Sequence, residues 1–466
     1  MGTTLTQAAW LARVGGGQNQ FGRDFSAVMA AEGIELSPWR GAGGGVPAVL
    51  LCERVTEEVF AEMAELALKG CARTVVLVTD RSGLSDDSAW RLLDVGAADV
   101  LAWDRAKEGA RALASRIVRI AAVERIVRAP FIRENLVGES PAWLAFLRHV
   151  VEVSAFSDAS VLLLGESGTG KELAARLVHT LDTRAQKREL IVLDCTTVVP
   201  ELSGSEFFGH ERGAYTGAVS ARDGAIALAH QGTLFLDEIG ELPTSLQAQL
   251  LRAVQERTYK RVGGNAWQRS EFRLVCATNR DLAHEVSKGA FRRDLFYRIA
   301  SCVCRPPTLK ERAADILLLT RHFLIEAGVA GPVEFDLAVS EHLMARDYPG
   351  NVRDLRQLAL EIARRHAGGG LITIGDLPPS ERPVGTQTRR HRDETFEAAA
   401  RRAVGLGLGL QEIGRLAKEA AIREALSLEE GNLQRAARRL GVTDRALQLR
   451  KAGSTAPPGR DGDAGE

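Results

Sequence analysis

The sequence lacks most features that mark membrane, secreted or metal-binding proteins. No hydrophobic run approaches the ~18 residues needed to span a bilayer, and the first residues, MGTTLTQAAW, lack the basic and apolar regions of a secretory signal. Its 6 cysteines form no CxxC pair, so we expect reduced core thiols. With 60 basic and 60 acidic residues, the chain as a whole has no charge to attract nucleic acid or a membrane. We therefore expect a cytoplasmic protein without a membrane partner.

Composition shifts divide the 466 residues into several parts. Short apolar runs that alternate with helical patterns predict an α/β domain at residues 1–125. A longer strand–helix pattern with glycines at strand ends predicts a second α/β domain at 126–378. Residues 379–410 have little periodicity and indicate a linker, and 411–455 indicate a basic, all-α module. The tail, 456–466, has no apolar content to bury, and we expect it to be disordered.

The clearest chemical signal is VLLLGESGTGKE at residues 161–172, an apolar run that ends in a GxxxxGK motif before a helical segment. Glycines let backbone N–H groups surround phosphate oxygens, and the following helix adds a positive dipole. The generic motif ends in a serine or threonine that contacts magnesium, and a glutamate stands there instead, so Mg²⁺ needs another ligand. The predicted ATP-binding residues are Gly165, Glu166, Ser167, Gly168, Thr169, Gly170, Lys171 and Glu172.

Two further apolar strands end in polar residues. GTLFLDEIGELP, residues 232–243, ends its strand in Asp237 and Glu238. Asp237 is predicted to hold Mg²⁺ and Glu238 to polarise the attacking water, as P-loop ATPases require. FRLVCATN, residues 272–279, ends in Asn279, which is placed to sense the γ-phosphate. Each pattern alone is also typical of a plain strand–loop junction, but after a phosphate-binding loop the three together favour ATP hydrolysis.

A fourth motif, FGHERGAYTGA at residues 208–218, has no role in nucleotide chemistry. It resembles the GAFTGA signature loop of the sigma-54-dependent transcriptional activators, also called bacterial enhancer-binding proteins, which are AAA+ ATPases. The resemblance implies an α/β P-loop AAA+ fold with a helical subdomain. Tyr215 replaces the usual phenylalanine and keeps an aromatic contact. The resemblance also implies contact with sigma-54 through Gly213, Ala214, Tyr215, Thr216, Gly217 and Ala218.

Two basic segments resemble parts of this family that act on the γ-phosphate. GAFRRDLFYRI, residues 289–299, resembles the segment with the arginine fingers, here Arg292 and Arg298. YPGNVRDLRQ, residues 348–357, resembles the sensor II segment, with Arg353 at the phosphate-contacting position. An arginine supplied across a subunit boundary stabilises charge on the transferring phosphoryl group. The resemblance therefore implies hydrolysis in a homo-oligomeric ring, expected to be a hexamer.

The resemblance covers about residues 136–377 and departs from the family at one position. LVGESPAW, residues 136–143, is similar to the family's opening segment, and KRVGG, residues 260–264, to a second surface loop. Where the family commonly has an asparagine that holds the catalytic glutamate in an inactive pose, this chain has Asp194. An ionised aspartate cannot donate that hydrogen bond, and its charge would repel Glu238. We predict altered basal hydrolysis or looser coupling of hydrolysis to the signature loop.

The basic module contains AIREALSLEEGNLQRAARRLGVTDRALQLRK at residues 421–451. Two helical patterns separated by a glycine, with a local excess of positive charge, predict a helix-turn-helix that binds DNA. The segment resembles the Fis-like helix-turn-helix of the same family. A helical hairpin with a solvated basic face is the alternative. Base contacts are assigned to Arg445 and Gln448 on the helix begun by Thr443, and phosphate contacts to Arg438, Arg439, Arg450 and Lys451.

The first domain has predicted strands at 46–52, 74–79 and 99–103, and predicted helices at 56–69 and 86–95. Its strand order and the segment GAADVLAWD, residues 96–104, distantly resemble a response-regulator receiver domain. A receiver needs an acidic pair after its first strand, an aspartate after its third and a lysine after its fifth. Glu53 and Asp104 stand at the last two positions, and only Thr79 fits. We expect a degenerate, non-phosphorylated receiver that acts through protein contacts or a small ligand.

These motifs predict a transcriptional activator with ATP and Mg²⁺ as cofactors. It would bind upstream activator DNA and use hydrolysis to drive its signature loop against the sigma-54 RNA polymerase holoenzyme, which opens the promoter. Two alternatives remain open from the residues. One is a DNA-binding regulator that keeps the ATPase core without remodelling sigma-54, and the other is an AAA+ remodelling ATPase with another target. Loss of the signature loop would mark the first, and absence of specific DNA binding the second.

Overall fold

The structure is a computed structural model, and it describes residues 7–14, 19–41, 45–69, 71, 73–103, 107–184, 187–197, 202–382, 409–429 and 432–439. The chain divides into two compact units, Met1–Pro379 and Ser380–Glu466. None of the helices in the described segments combines the length and apolar character that a bilayer crossing requires. All six cysteines lie in described segments and carry free thiols, four of them buried. Burial raises the pKa of Cys195 to about 12, which keeps this thiol protonated at neutral pH.

The larger unit begins with a parallel sheet. Its strands are β1 (Gln7–Val14), β2 (Ile34–Pro38), β3 (Ala48–Cys52), β4 (Thr74–Val78) and β5 (Ala97–Ala102). They pair in the order β2-β1-β3-β4-β5, a doubly wound arrangement that changes direction after β1. Strands β3, β4 and β5 begin and end within two residues of the predicted strands, whereas β1 and β2 were not predicted.

Helices cover both faces of this sheet. They are α1 (Asn19–Ala31), α2 (Glu57–Leu68), α3 (Asp86–Asp94) and α4 (Lys107–Val127). Phe25 of α1 and Leu113 of α4 belong to the core on one face. Leu66 of α2 and Leu92 of α3 belong to the core on the other. Because both faces are covered, β3 and β4 are buried at every residue, which explains their continuous apolar sequences.

The next strands along the chain are β6 (Val161–Leu164), β7 (Leu190–Asp194), β8 (Thr233–Asp237), β9 (Thr258–Tyr259), β10 (Gln268–Arg269), β11 (Arg273–Thr278) and β12 (Cys302–Cys304). Five of them form a second parallel sheet in the order β12-β6-β11-β8-β7. Strands β9 and β10 form a short antiparallel pair. Since β6, β11 and β8 are neighbours, the polar residues at their carboxyl ends lie at one edge of the sheet, where ligands of α/β proteins bind.

Eight helices accompany this sheet in the described residues: α5 (Pro130–Asn135), α6 (Pro141–Phe156), α7 (Lys171–Leu181), α8 (Ser203–Phe208), α9 (Ala225–Leu228), α10 (Thr244–Gln255), α11 (Leu282–Ser287) and α12 (Arg293–Ile299). A buried arginine joins sheet and helix. Arg273 of β11 is 2% exposed and donates hydrogen bonds to the carbonyls of Val153 (3.1 Å) and Ser154 (3.0 Å). These carbonyls lie at the end of α6, so the guanidinium pairs groups near the negative end of the helix dipole.

A helical subdomain, here called the lid, completes the larger unit. It contains α13 (Ile316–Glu326), α14 (Leu337–Ala345) and α15 (Asn351–Arg365), with a parallel pair of short strands, β13 (Glu334–Phe335) and β14 (Leu371–Ile372). Leu324, Leu343 and Leu355 contribute to its separate hydrophobic core. The helical subdomain that the family resemblance implies is therefore present beside the P-loop sheet.

Helix α4 contributes to two hydrophobic cores. Ile117 is buried in the core of the N-terminal sheet, and Val127 in the core between α6 and the second sheet. Glu152 of α6 joins the same parts through ion pairs, at 3.0 Å from Arg119 of α4 and 3.8 Å from Arg73 beside β4. The predicted domain boundary after residue 125 thus falls inside a continuous helix.

The smaller unit is described for two helices, α16 (Leu410–Leu428) and α17 (Leu433–Arg439). Ala425 and Ala436 pack between them. Asn432 caps α17, since its Oδ1 accepts hydrogen bonds from the amides of Gln434 (3.1 Å) and Arg435 (3.2 Å). Residues 383–408 of the predicted linker and the whole predicted tail lie outside the described residues.

Candidate active site

The predicted phosphate-binding loop connects β6 to α7. The amide of Gly165 donates to the carbonyl of Thr278 at 3.1 Å, which fixes the loop's first residue to β11. Gly168 has a φ of +75°, where other residues are strained. A Cβ at Gly168 would also lie 2.1 Å from the carbonyl oxygen of Gly350, just before α15. Glycine is therefore required at 168 both for the turn and for close contact with the lid.

Lys171, the first residue of α7, turns its ammonium group back toward the loop. Its Nζ donates to the carbonyls of Gly165 (2.8 Å) and Glu166 (3.1 Å) and lies 3.9 Å from Oε1 of Glu238. Burial lowers the pKa of Lys171, and the neighbouring carboxylates act in the opposite direction. A cation held by carbonyls of its own loop can exchange them for phosphate oxygens, which form stronger, charge-assisted hydrogen bonds.

Glu238 has a left-handed backbone, with φ of +48° and ψ of +49°. Such conformations are uncommon outside glycine and concentrate at functional sites. Its Oε2 accepts a hydrogen bond from the backbone amide of Asn279 (3.1 Å), and its own amide donates to Oδ1 of Asp237 (3.0 Å). The structure thus brings Lys171, Glu238 and Asn279 together, although Asn279 contacts the glutamate through its backbone rather than its side chain.

Asp237 is the candidate ligand for magnesium. Burial raises the pKa of its carboxyl, so ionised Asp237 gains from a nearby cation. Among the described residues, no group of three His, Cys, Asp or Glu side chains could hold a metal ion alone. Mg²⁺ bound with a nucleotide usually takes one or two protein carboxylates, together with phosphate oxygens and water. Asp237 beside Glu238 fits that ion bound together with a triphosphate.

Asp194, which replaces the family's asparagine, ends β7 and pairs in register with Asp237. Its Oδ1 accepts hydrogen bonds from the backbone amide (2.8 Å) and the hydroxyl (2.7 Å) of Thr196. Among the described residues, no hydrogen bond joins Asp194 to Glu238. The charge of Asp194 instead makes a small contribution to the raised pKa of Asp237, after the larger effect of burial. The aspartate is therefore held in the turn after β7.

A cavity of about 630 Å³ lies between the phosphate-binding loop and the lid. Its volume is in the range of small-molecule sites. Arg353 reaches the loop from α15, where its Nη1 donates to the Ser167 hydroxyl at 3.0 Å. The backbone amide of Val352 donates to the carbonyl of Gly168 at 3.0 Å. The cavity wall combines charged, aromatic and aliphatic side chains, among them Trp143, Lys171, Asp237, Glu238, Arg312, Phe323 and Arg353.

Several residues of this wall have no role predicted from the sequence, among them Trp143 and Arg312. The Arg312 guanidinium lies 3.9 Å from the centre of the Trp143 ring, and its Nη2 donates to the carbonyl of Thr169 at 3.4 Å. Nε and Nη1 of Arg312 are buried and have no hydrogen-bond partner in the described part of the chain. Burial lowers its pKa to about 10, so it stays charged at neutral pH. In the sequence, Arg312 lies in the polar segment KERAAD, a composition typical of an exposed turn, so no pattern indicated that its side chain is buried.

The predicted arginine fingers are exposed. Arg292 forms an ion pair with Asp294 at 2.6 Å, which raises the pKa of Arg292. No ion pair of Arg298 is found among the residues that the structure describes, and neither finger lines the cavity of its own chain. Glu172 does line that cavity, and it pairs with Arg176 on α7 at 2.7 Å. The exposed side chains of Arg292 and Arg298 are thus accessible to a second molecule.

The predicted signature loop forms a tight turn on the surface. The amide of Gly213 donates to the carbonyl of Ala218 at 2.9 Å, which closes the turn. The Tyr215 ring contacts His210 edge to face, with 5.1 Å between ring centres, while Thr216 beside it is exposed. The Tyr215 ring therefore packs against His210, and the side chain of Thr216 is accessible to solvent.

The segment predicted as a second surface loop lies beside the first. The amide of Glu211 donates to the carbonyl of Val262 at 3.0 Å. Arg261 forms ion pairs with Glu211 at 3.1 Å and with Asp223, on the two sides of the signature loop. A Cβ at Gly263 would lie 2.8 Å from the Cβ of Ala214. The two loops thus share one surface.

Most predicted DNA contacts lie outside the described residues, namely Thr443, Arg445, Gln448, Arg450 and Lys451. The backbone of Arg438 lies in α17. Arg439 is described and pairs with Glu429 at 2.7 Å. The first helix of the predicted helix-turn-helix is α17, which packs against α16. The second helix, predicted from Thr443 onward, stays a prediction.

Comparison with known families agrees with this architecture. Residues 136–304 match the family model of the Sigma-54 interaction domain, which includes the phosphate-binding loop, the signature loop and β12. Residues 310–394 match the model of the AAA+ ATPase lid domain. The two matches meet where the second sheet gives way to the lid.

Curated relatives match over longer stretches. The transcriptional regulatory protein ZraR of Klebsiella oxytoca is 39% identical over 69% of this chain and 69% of its own length. ZraR of Salmonella typhimurium is 36% identical over 86% of this chain and 87% of its own length. Among solved structures, NtrX from Brucella abortus in complex with ATP is 22% identical, with a TM-score of 0.48 over 97% of this chain and 100% of that chain. The chain belongs to the family of sigma-54-dependent transcriptional regulators, and the P-loop domain at its centre is an AAA+ ATPase.

Proposed function

We propose that this protein activates transcription by remodelling the sigma-54 RNA polymerase holoenzyme, with ATP hydrolysis in a homo-oligomeric ring, a hexamer, as the energy source. The observation that carries the proposal is the pairing, in one domain, of a nucleotide site with a surface loop, residues 213–218, that nucleotide chemistry does not use. Residues 126–378 are proposed as this motor domain. It would act in the cytoplasm, where the polymerase works.

The site residues suit the hydrolytic step. Backbone amides of the loop and Lys171 would hold the β- and γ-phosphates, and Arg353 would contact them from the lid. Glu238 would accept a proton from the attacking water, and the Asn279 amide keeps its carboxylate oriented. Magnesium, held by Asp237 when bound, would neutralise phosphate charge. Arg292 and Arg298 of a neighbouring subunit would stabilise the charge on the transferring group.

The two ends of the chain are proposed to supply control and location. Residues 1–125 would act as a degenerate receiver that is not phosphorylated and works through protein contacts or a small ligand. Residues 411–455 would bind upstream activator DNA through a Fis-type helix-turn-helix. The basic residues of the sequence between Arg435 and Lys451 support this role, since phosphate contacts dominate such binding.

The test measures ATP hydrolysis against protein concentration for the wild type and Glu238→Gln, with and without sigma-54 holoenzyme on a premelted promoter. A steep rise with concentration that the variant lacks, together with promoter opening, is the expected result, because each site needs a neighbouring subunit. Hydrolysis without opening would favour a remodelling ATPase with another target. No hydrolysis at any concentration would favour a DNA-binding regulator that keeps the core only as a scaffold.

A further inference from the structure

Asn351 is a buried polar residue where the lid meets the phosphate-binding loop. It is the first residue of α15, is 2% exposed, and has a φ of +51°. Asparagine, aspartate and glycine tolerate this left-handed conformation best. Buried polar side chains are retained where their hydrogen bonds are satisfied, so the contacts of its amide show what it is for.

The three hydrogen bonds of the Asn351 amide join the start of α15 to two other segments. Its Nδ2 donates to Oε2 of Glu166 (3.0 Å) and to the carbonyl of Ser167 (3.0 Å), both in the phosphate-binding loop. Its Oδ1 accepts from the amide of Leu309, in the chain that leads from β12 into the lid (2.8 Å). The opposite amide orientation would set an oxygen against two acceptors, so these partners fix its direction.

Glu166 links this amide to Lys171, the lysine of the phosphate-binding loop. Its carboxylate accepts from Asn351, while its backbone carbonyl accepts from Nζ of Lys171 (3.1 Å) and from the hydroxyl of Thr169 (2.9 Å). When Lys171 moves to a phosphate, the carbonyl of Glu166 loses one donor. The turn at Glu166 is thus the place where phosphate binding and the start of the lid helix meet.

Other contacts between loop and lid cannot replace this amide. Arg353 bonds to Ser167 at an exposed position, where water competes. The backbone amide of Val352 donates to the Gly168 carbonyl. This hydrogen bond forms only if α15 begins at Asn351, so it depends on the conformation of that residue. Among the described residues, Asn351 is the buried side chain that ties this loop to the first turn of α15.

We propose that Asn351 is a positioning residue that couples phosphate occupancy of the loop to the lid through Glu166. The inference rests on nucleotide binding and hydrolysis at this site. It predicts that the polarity of the 351–166 contact, donor on one side and acceptor on the other, sets nucleotide affinity more than it sets the chemical step.

A double-mutant cycle in the full chain tests this coupling. Asn351→Asp has the same shape but turns a carboxylate toward the Glu166 carboxylate and the Ser167 carbonyl. We expect mant-ADP with Mg²⁺ to bind about tenfold more weakly, with KM for ATP rising in parallel and kcat changing by less than about threefold. In the Glu166→Gln background, the new amide at 166 can donate to the carboxylate introduced at 351, so the same substitution should cost less than about threefold in affinity.

The matched control is Gln357→Glu on the same helix. Gln357 also donates from its amide to a carboxylate, that of Glu361 at 3.0 Å, but on the exposed face of α15. Gln357→Glu also sets two carboxylates against each other, here at residues 357 and 361 and away from the phosphate-binding loop. We expect this variant to bind mant-ADP with wild-type affinity. A tenfold loss in this control would show that charge on α15, and not the contact at 166, weakens binding, and the proposal would be wrong.

Two further results would overturn the inference. One is unchanged mant-ADP affinity in Asn351→Asp, and the other is a loss that Glu166→Gln leaves uncorrected. If Asn351→Asp does not fold, Asn351→Gly is used instead, because glycine tolerates the same backbone conformation. The proposal then requires that the losses of mant-ADP affinity in Asn351→Gly and Glu166→Gln are not additive in the double variant. A wild type that binds mant-ATP without hydrolysing it would refute the proposed motor function, yet the binding cycle would still decide the role of Asn351.

Discussion

The carboxyl group of Asp237 is protonated more easily in the folded protein than in the unfolded chain. Burial raises its pKa. An acid with a raised pKa stabilises the fold when protonated, so this contribution is present at acidic pH and is lost as the pH rises through the raised pKa. Stability is thus given up at neutral pH for a carboxylate that can hold magnesium, a trade common at active sites.

Replacing Asp237 with asparagine should remove this pH dependence. We expect Asp237→Asn to melt above the wild type at neutral pH, the difference to shrink on acidification, and hydrolysis to fall by about 100-fold or more. Thermal denaturation across pH checks the first two. Asp80→Asn is the control with opposite sign, because hydrogen bonds from Ser82 and Arg54 lower the pKa of Asp80. An Asp237→Asn protein that melts below the wild type at neutral pH would contradict the argument.

Asp194 offers a second test, of basal hydrolysis. Asparagine there could still accept from Thr196 through its oxygen, while its nitrogen would add a donor beside Asp237, the register partner of residue 194. Other members of this family commonly have an asparagine at this position, which restrains the catalytic glutamate. We therefore expect Asp194→Asn to hydrolyse ATP several-fold more slowly when sigma-54 is absent. Thr196→Val, which removes only the hydroxyl contact, is the comparison, and equal rates in wild type and Asp194→Asn would refute the expectation.

Sequence reasoning located the residues with a chemical signature and missed those defined by packing. Lys171 and Glu238 follow apolar strands in recognisable motifs, and the structure brings their side chains to within 3.9 Å of one another. Arg312 lies in no such motif, and Asn351 lies in YPGNVRDLRQ, where sequence reasoning assigned a role only to Arg353. Each acts through a contact with a distant segment, 143 residues away for the Arg312–Thr169 hydrogen bond. A local pattern carries no information about such a partner.

The phosphate-binding loop and the start of α15 are so close that adding one methyl group at Gly168 should push them apart. Gly168→Ala would place its Cβ 2.1 Å from the Gly350 carbonyl, in addition to the strain of a positive φ. We expect mant-ADP affinity to fall by more than about tenfold. Gly96→Ala has a comparable φ of +103° with nothing within 4 Å, so it isolates the backbone strain, which costs about 1–2 kcal/mol of stability. Equal nucleotide affinity in wild type and Gly168→Ala would exclude this contact from the bound state.

The predicted elements differ from the structure mainly where local preference and tertiary pairing disagree. The strand β1, QAAWLARV, contains three alanines, which favour helix, yet it lies between β2 and β3. Pairing on both edges outweighs that preference. The basic stretch RIVRIAAVERIVR at residues 116–128 predicts an amphipathic connecting helix. Helix α4 begins nine residues earlier, at Lys107, because its first turns pack on the N-terminal sheet.

An oligomer with active sites between subunits should allow two inactive variants to restore each other. Arg298→Ala keeps Glu238, and Glu238→Gln keeps Arg298. Head-to-tail contacts generate rings, so in an equal mixture some sites would receive the glutamate from one subunit and the arginine from the next. Random assembly predicts roughly a quarter of the wild-type hydrolysis rate. Each variant alone should be inactive, and a mixture no more active than its components would argue against sites shared between subunits.

The continuous helix α4 also determines how this protein can be recombined with its relatives. A chimera that exchanges the N-terminal domain between residues 125 and 126 would join two helix segments from different proteins inside one hydrophobic core. Each residue gained or lost at the junction would turn the downstream face by about 100° and shift it by about 1.5 Å. Ile117 and Val127 would then face different directions relative to their own cores. Modular exchange therefore has to carry α4 whole, with its helical phase intact.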